Sequence, residues 1–385
     1  MSERPRTTHR KRRIALLGEI AHRPGASFGG TGLNLIRLGN AFAERGHDVD
    51  LLLARADHLD SFSERPATGI DIIGLGHGSR GPQFLRLLRH LWRTGRDTLI
   101  VQDTRAIDLG LLAKRLFRRR LKLVCTMHAE SVVRTEPDPG REQRKQRRFG
   151  LMARHADLVV GVSPGITERA GERASFAQEQ LVTIPNPAYP LAAVEHARQH
   201  PVARPAGAHL HVISVGRLSP EKDQTTLVDA LARLVGEMGE GVHLTILGDG
   251  PQRDTLAERA AALGVGDNLH MPGFVGRPLD YMADADVFAL SSLREAFGFV
   301  LVEALALGLP VVSTDCPYGP RFILDAGRFG RLVPIGDADA LANAIAAAAA
   351  EETDRERLIE HARQFTPEAT ADTYLSYLNA MDRTR

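Results

Sequence analysis

Two basic and two acidic side chains stand at spacings that could bind phosphate and hydroxyl groups. Arg217 and Lys222 lie five residues apart in a loop that follows a predicted strand. Two cations on one loop can hold a diphosphate and stabilise the charge that develops as it leaves. Glu295 and Glu303 lie eight residues apart, and carboxylates accept hydrogen bonds from ribose or other sugar hydroxyls. From the spacing alone, a surface glutamate followed by one that a helix dipole favours remains an equally simple interpretation.

The segment between the two glutamates has the features of a phosphate-binding loop. It runs through Ala296, Phe297, Gly298 and Phe299 into a predicted helix at 300–307. Gly298 has no side chain, so another group can approach the main chain closely. The first N–H groups of a helix lack intrahelical acceptors and suit phosphate oxygens. Beside such a site, we expect the two carboxylates to bind hydroxyl groups.

Short apolar strands alternate with amphipathic helical patterns through the first half of the chain. A strand at 13–18, a helix at 33–45 and a strand at 49–54 predict a β-α-β unit. Further strands are predicted at 70–75, 98–102, 121–127 and 157–162. Most are apolar along their whole length, which is typical of a sheet covered by helices on both faces.

A proline-rich break separates this half from a second α/β series. We place the linker at about 185–208, because prolines remove backbone donors and fix φ. The pattern restarts with strands at 211–215, 243–247, 269–271, 287–290 and 311–314, and with helices at 225–238 and 253–263. We therefore expect two facing, doubly wound, Rossmann-like domains, with the ligand site in the cleft between them. The predicted domains span 1–190 and 205–365, and 366–385 form a helix that packs back on the first domain.

Five motifs of the second half follow one another in a familiar order. They read VGRLSPEKD, LGDGP, PGFVGR, EAFGF with Glu303 completing an E-x7-E spacing, and LGLPVVSTD. Their order and spacing resemble the retaining family-4 glycosyltransferases of the GT-B fold. The resemblance covers nearly the whole chain and is strongest over 211–337. The run CPYGPR from Cys316 to Arg321 resembles a subgroup of bacterial enzymes that build surface polysaccharides.

The resemblance implies a role for each of the charged residues named above. Arg217 and Lys222 would hold the diphosphate of a nucleotide-sugar donor, and Glu303 would bind its ribose. Glu295, with the main chain of Ala296 to Phe299, would hold the transferred sugar. His128, in the segment Thr126-Met127-His128, resembles the family's strand-end histidine and would contact that sugar from the first domain.

Four glycines complete the predicted site. Gly29 and Gly30 resemble the family's glycine loop, which would close on donor and acceptor. Gly216 and Gly248 lie in the motifs VGRLSPEKD and LGDGP and are expected to border the donor. One position departs from the family, because Phe322 stands where relatives often have a glutamate after the proline loop. That departure leaves the identity of the donor open.

The implied reaction is transfer of a hexose-type sugar from a nucleoside-diphosphate donor, with UDP as the expected nucleotide. The acceptor would be a carbohydrate or a polyprenyl-linked sugar of the cell envelope. No cofactor or metal is expected beyond the nucleotide sugar. The pairs Asp284/Asp286 and Asp337/Asp339 have the D-x-D form of metal-dependent transferases, but we expect both to be structural, since they lie at the ends of strands. Fifteen histidines show no zinc spacing with cysteines.

Charge divides the chain into two halves of opposite sign. Residues 1–200 contain 33 Lys and Arg against 21 Asp and Glu, so the first half carries +12 and the remainder −10. The basic run at 141–148 lacks interleaved aromatic residues, which argues against nucleic acid. We hypothesise instead that the first domain attaches reversibly to the anionic inner face of a membrane. Mutual attraction of the two halves is the alternative.

The remaining composition favours a globular cytoplasmic protein. No stretch approaches the length of a transmembrane helix, and the apolar run 14–17 is too short for a signal-peptide core. Cys125 and Cys316 are far apart in the chain, which is typical of reduced thiols. Two other functions stay open for the same architecture: a nucleotide-sugar 2-epimerase and a non-catalytic scaffold. The E-x7-E element argues against the first, and the intact charged residues argue against the second.

Overall fold

A computed structural model describes residues 11–20, 30–56, 64–76, 79–118, 120–128 and 139–383. Two parallel β-sheets, one in each half of the chain, form the centres of two α/β domains. The two-domain, doubly wound architecture predicted from the alternating pattern is therefore confirmed. None of the helices in these ranges is long and apolar enough to cross a membrane.

The first domain contains a seven-stranded sheet in the order β3-β2-β1-β4-β5-β6-β7. Its strands are β1 (Arg13–Ile20), β2 (Asp48–Ala56), β3 (Asp71–Gly74), β4 (Thr98–Val101), β5 (Lys122–Met127), β6 (Leu158–Gly161) and β7 (Leu181–Thr183). Every residue of β4, β5 and β6 is buried, because helices cover both faces of the sheet. This burial explains the uninterrupted apolar runs in the sequence.

Five helices cover the two faces of this sheet. They are α1 (Gly30–Glu44), α2 (Arg80–Thr94), α3 (Thr104–Phe117), α4 (Pro139–His155) and α5 (Pro164–Arg173). Leu87 of α2, Ala106 of α3, Met152 of α4 and Ile166 of α5 belong to one apolar core. Phe42 of α1 belongs to a second core on the opposite face of the sheet. The helices α2 to α5 therefore form one layer, and α1 lies on the other side.

The second domain contains a six-stranded sheet in the order β10-β9-β8-β11-β12-β13. Its strands are β8 (Leu210–Val215), β9 (Val242–Leu247), β10 (Leu269–Gly273), β11 (Val287–Leu290), β12 (Val311–Thr314) and β13 (Arg331–Val333). The helices that follow the linker are α6 (Leu191–Gln199), α7 (Gln224–Met238), α8 (Arg253–Ala262), α9 (Pro278–Met282), α10 (Phe299–Leu307), α11 (Gly319–Ile323), α12 (Ala338–Ala350), α13 (Arg355–Ala362) and α14 (Pro367–Arg383). The strand order reverses between β8 and β11, where crossovers leave toward opposite faces.

The linker is more ordered than the sequence indicated. Its prolines are followed by the helix α6, which begins directly after Pro190. The proline-rich pattern across 185–208 did not predict this helix. The apolar side chains Val194 and Ala197 of α6 are buried in the core that continues into the second domain. Sequence reasoning missed this helix because its nine residues are short and flanked by prolines.

The chain passes between the domains twice. It leaves the first domain through Ala188 and Tyr189, and it returns after Phe365 as the helix α14. The main-chain N–H of Ala188 donates to the carbonyl of Phe365 at 2.8 Å, so the two passages lie side by side. Both residues are buried.

Helix α14 packs on the first domain beside α1. Phe42 and Tyr374 meet edge to face with ring centroids 6.3 Å apart, and the Tyr374 hydroxyl lies 2.9 Å from Thr126 Oγ1. Near the end of the helix, Asp382 forms ion pairs with both Arg12 and Lys122. These cations lower the pKa of Asp382 below its ordinary value, against the opposing effect of burial.

Replacing Asp382 with asparagine should weaken this attachment. Arg12 and Lys122 are both buried, and removing their shared carboxylate leaves two cations without it. We expect Asp382→Asn to lower the free energy of unfolding by about 1–3 kcal/mol. The folded pKa of Asp382 is depressed, so this stability is present above the unfolded pKa and is lost as the pH falls through the folded one. Urea unfolding at neutral and acidic pH measures both effects.

A matched control lies on the same helix. Asp372 pairs with Arg45, but it is 65% exposed. Exposed ion pairs usually contribute about 0–1 kcal/mol to stability. We therefore expect Asp372→Asn to lower the free energy of unfolding by only about a few tenths of a kcal/mol. Equal losses from the two variants would contradict the anchoring role of Asp382.

Candidate active site

The charged residues singled out in the sequence gather where the strand order of the second sheet reverses. Strands β8 and β11 are neighbours in this sheet, and their crossovers run in opposite directions. The loops after the two strands therefore diverge and leave a crevice at the carboxyl edge of the sheet. Arg217 and Lys222 follow β8, and Glu295 follows β11.

The loop after β8 is held by its main chain. Gly216 N–H donates to Leu247 O at 2.9 Å, and Gln224 Nε2 donates to Arg217 O at 2.9 Å. Gly248 has φ +135°, and a Cβ there would collide with the carbonyl oxygen of Gly216. The predicted glycines thus allow two loops to pass in contact. The Arg217 side chain is exposed.

An ion pair joins the two loops across the crevice. Lys222 Nζ donates to Glu295 Oε1, and both side chains are largely buried. Ser292 Oγ donates to the same carboxylate oxygen at 3.0 Å. The loops are also joined by Ser291 Oγ, which donates to Lys222 O at 3.0 Å. These contacts fix the orientation of Lys222 and Glu295.

The segment from Glu295 to Phe299 leads into α10 by a fixed path. Glu295 N–H donates to Pro317 O at 2.7 Å, and Gly319 N–H donates to Glu295 O at 2.8 Å. Gly298 has φ +102° and directly precedes α10. That backbone conformation is one that side-chain-bearing residues rarely adopt. The first N–H groups of α10 consequently point out of the helix at the crevice.

Glu303 stands on α10 and faces the first domain. Burial raises the pKa of Glu303 to about 7. Two charges have smaller effects: Arg37 lowers this pKa, and Glu64 raises it. Arg37 and Glu64 belong to the first domain and are ion-paired with each other at 2.6 Å. Glu303 thus carries a carboxylate whose charge changes near neutral pH.

His128 lies at the carboxyl end of β5, at the matching edge of the first sheet. Asn34 Nδ2 lies 3.3 Å from His128 Nδ1 and 2.8 Å from Asn186 Oδ1. Burial lowers the pKa of His128 to about 4, so the imidazole is neutral at physiological pH. Within the described ranges, neither His128 Nε2 nor Asn34 Oδ1 has a hydrogen-bond partner. Buried polar atoms in that state are costly unless a ligand pairs with them.

Of the two glycines in the predicted glycine loop, the structure describes Gly30. Gly30 opens α1 at the same edge of the first sheet. Gly29 lies outside the described residues.

The two domains meet at the loop before α10 through a contact that the sequence did not reveal. Ser163 Oγ, at the start of α5, donates to Ala296 O at 2.8 Å. A side chain on Gly165 would collide with the ring of Tyr318. Ser163 and Ala296 are 133 positions apart, and no local pattern marks either of them. A Ser-Pro-Gly run that begins a helix was the only signal available.

The two D-x-D pairs have structural partners. Arg204 pairs with Asp286 at 2.9 Å and with Asp284 at 3.7 Å. Asp337 caps α12 by accepting from Ala340 N–H at 2.8 Å, and Asp339 pairs with Arg233. Within the described ranges, no three His, Cys, Asp or Glu side chains form a metal-binding group.

Phe322, which departs from the resemblance, is part of an apolar contact. Its ring lies edge-on to Phe365, with ring centroids 5.9 Å apart. The position therefore packs toward the passage between the domains.

Two family models match most of the chain. Residues 28–189 match the model described as Glycosyltransferase Family 4, and residues 198–365 match Glycosyl transferases group 1. The chain therefore belongs to the glycosyltransferases that these two models describe. The resemblance drawn from the E-x7-E element and its neighbouring motifs is therefore confirmed.

Individual relatives show how far the likeness extends. The lipopolysaccharide core biosynthesis glycosyltransferase LpsE of Rhizobium meliloti is 36% identical over 58% of this chain. The matched part spans 65% of that relative's length, just under two thirds. A Campylobacter jejuni enzyme, named as a 4-alpha-N-acetylgalactosaminyltransferase of a diphospho-undecaprenol acceptor, is 28% identical over 67% of this chain and 68% of its own.

Solved structures establish the fold. Anabaena HepE in complex with UDP superposes with a TM-score of 0.75 over 96% of this chain and 100% of its own, at 22% identity. The chain therefore has the GT-B glycosyltransferase fold that the motifs predicted.

Glu303 should reduce the stability of the folded protein above neutral pH. Its folded pKa is raised, so folding favours the neutral carboxyl. Stability is full below the unfolded pKa and declines as the pH rises toward about 7. Glu303→Gln removes this titration. The free energy of unfolding of the variant, relative to wild type, should therefore be about 1–3 kcal/mol higher at alkaline pH than at acidic pH. Urea unfolding at the two pH values measures the difference.

The exposed Glu221 on the neighbouring loop provides the control. Glu221→Gln should give the same small change in unfolding free energy at both pH values. A Glu303→Gln effect that is independent of pH would show that its carboxyl titrates normally.

Proposed function

We propose that the protein transfers a hexose-type sugar from a UDP-linked donor to a carbohydrate or lipid-linked acceptor, with retention of the anomeric configuration. The observation that carries the proposal is the pre-formed Lys222–Glu295 pair beside Arg217 at the switch point of the second sheet. Cations beside a helix N-terminus favour a diphosphate, and the carboxylates favour hydroxyl groups. A nucleoside-diphosphate sugar offers both.

The relatives support the choice of substrates. HepE is described in complexes with UDP and with UDP-glucose, which favours a UDP-linked donor. LpsE is named for lipopolysaccharide core synthesis, and the Campylobacter relative is named for an undecaprenyl-diphosphate acceptor. We infer a place in the synthesis of cell-envelope polysaccharide or glycolipid for this chain.

The proposed reaction depends on stabilising the leaving diphosphate. Arg217 and Lys222 would neutralise the negative charge that develops on it, together with the first N–H groups of α10. As the diphosphate engages Lys222, Glu295 would exchange part of its pairing with the lysine for hydroxyls of the transferred sugar. Glu303 would accept from the ribose, and no metal ion would take part.

The first domain would supply neutral hydrogen-bonding groups. His128 Nε2 and Asn34 Oδ1 would pair with hydroxyls of the transferred sugar or the acceptor, which removes the cost of their unpaired burial. His128 is too weakly basic to hold a proton at neutral pH. We therefore assign the acceptor proton to the departing phosphate and name no protein base or covalent nucleophile.

Removing the lysine should slow the chemical step. We expect Lys222→Ala to lower kcat by about 10²-fold or more, the usual scale for one charge-stabilising donor. UDP release from a panel of UDP-sugars, with and without acceptor, measures the effect. Arg259→Ala removes an exposed cation of the same domain, paired with Asp229, and should leave kcat unchanged. A Lys222→Ala enzyme with near-normal kcat would refute the diphosphate assignment.

The stereochemistry of the product tests the mechanism separately. An α-linked UDP-sugar should yield an α-glycoside if the anomeric configuration is retained. Proton NMR of the product distinguishes the two anomers by the coupling of the anomeric hydrogen. A β-linked product would exclude retention even if the donor and the site residues are correct.

A further inference from the structure

The outer surface of the layer formed by α2, α3 and α4 exposes large apolar side chains. Trp92 is 77% exposed, Leu85 is 67% exposed and Leu116 is 64% exposed, and Leu112 is also exposed. Leu85 and Trp92 are on α2, and the other two are on α3. Single exposed leucines need no explanation, but a tryptophan and three leucines on two adjacent helices form an apolar patch. We call these four residues, with the basic side chains around them, the outer helix face.

The three helices turn this face in one direction. Their buried sides share the same core against the first sheet, so their opposite sides point away from it together. Asp108 of α3 ties the layer, because it pairs with Arg80 of α2 at 3.3 Å and with Arg148 of α4 at 2.8 Å. Along α2, positions 85, 89 and 92 follow the three- and four-residue spacing of a single helix stripe.

Arginines surround the apolar side chains. Arg89 and Arg93 are exposed on α2, within one turn of Leu85 or Trp92, whereas Arg86 donates to Leu75 O at 2.6 Å beside the end of β3. Arg115 and Arg118 are exposed at the end of α3, beside Leu116. The positive charges of Arg115, Arg154 and Arg118, after burial, lower the pKa of His155 on α4. The basic groups of α3 and α4 are therefore close enough to act on one another.

Acidic groups on this layer are neutralised locally. Asp108 lies between Arg80 and Arg148, Asp157 pairs with Lys114, and Glu142 pairs with Arg173. The outer helix face therefore presents net positive charge around an apolar centre.

The helix dipole explains only part of this arrangement. Basic residues in the last turn of a helix are favourable without any partner, and Arg93 and Arg115 are in last turns. Arg89 is in the middle of α2, where the dipole has little effect. The dipole also gives no reason to expose Trp92 and Leu116 to water.

We propose that the outer helix face is the surface through which this protein lies on an anionic lipid bilayer. The arginines would bind lipid phosphates, while Trp92, Leu85, Leu112 and Leu116 would enter the boundary between headgroups and acyl chains. Tryptophan favours that boundary, and basic helices with an exposed apolar stripe bind it. This inference rests on the proposed function in one respect: a lipid-linked acceptor would lie in the bilayer that this face contacts. It also locates attachment at Trp92 of α2, rather than at the basic run of α4 alone.

The chain contains one tryptophan, so its fluorescence reports directly on this face. The protein is mixed with vesicles of phosphatidylcholine, with or without phosphatidylglycerol. We expect the emission of Trp92 to shift to the blue, and to be quenched by brominated acyl chains, on anionic vesicles only. The effect should weaken as salt is added. An unchanged emission on anionic vesicles at low salt would overturn the proposal.

Variants test the two contributions by co-sedimentation. Leu85→Gln with Leu116→Gln, and separately Arg89→Gln with Arg93→Gln, should each weaken binding to anionic vesicles by at least about tenfold. Leu263→Gln replaces an exposed leucine of the second domain and should bind like wild type. Wild-type binding by both double variants would overturn the proposal. So would a stable dimer that Leu85→Gln with Leu116→Gln dissociates, because the face would then be a contact between copies.

Donor hydrolysis without vesicles separates this inference from the proposed function. The outer-face variants should release UDP from the donor as wild type does, since none of these residues lies at the site. Loss of vesicle binding with intact UDP release supports the bilayer surface. Absence of UDP release from the wild type, with vesicle binding intact, would count against the proposed function and leave the bilayer surface supported.

Discussion

The ion pair between Lys222 and Glu295 is the constraint on which the site depends. Strands β8 and β11 are neighbours, but their crossovers leave in opposite directions, so nothing in the sheet ladder keeps the following loops together. The pair and the hydrogen bond from Ser291 Oγ to Lys222 O join them, and Ser292 Oγ holds the Glu295 carboxylate from within its own loop. Each charge is largely buried, so each depends on the other for its stabilisation. The crevice is therefore shaped before a ligand enters, and its cationic and anionic halves are held at a fixed separation.

Burial also changes the charge of His128 in the first domain and of Glu303 in the second. It removes the positive charge from His128 and weakens the negative charge of Glu303. The first domain thus offers neutral polar atoms at its sheet edge, whereas the second offers Arg217 and the Lys222–Glu295 pair. A ligand with a charged end and a neutral hydroxylated end has one preferred orientation in such a cleft.

The sequence predicted most of the fold because the central strands are buried on both faces. Such strands are continuous apolar runs, and β4, β5, β11 and β12 were placed to within a residue at each end. The short edge strands β7 and β13, with three residues each, lack that signal and were missed. The helix α6 was missed because the prolines around it dominate the pattern.

The local motifs also predicted which charged residues gather at the switch point, since strand-end loops of one sheet meet at its carboxyl edge. They could not predict the pairing of Lys222 with Glu295, which are 73 positions apart. The contact of Ser163 with Ala296 was equally hidden, because it depends on how one domain sits against the other. Pairings between distant loops are set by tertiary packing, which no single segment encodes.

The side-by-side passage of the chain at Ala188 and Phe365 has a mechanical consequence. The two connections between the domains are joined by a hydrogen bond at 2.8 Å and together form a hinge. Relative motion of the domains is then restricted mainly to rotation about an axis through these residues, with little sliding or twisting. A rotation of this kind that closed the cleft would lose little entropy, because the two connections already exclude most other relative motions. A break in either connection would leave the domains tethered yet far freer to misalign.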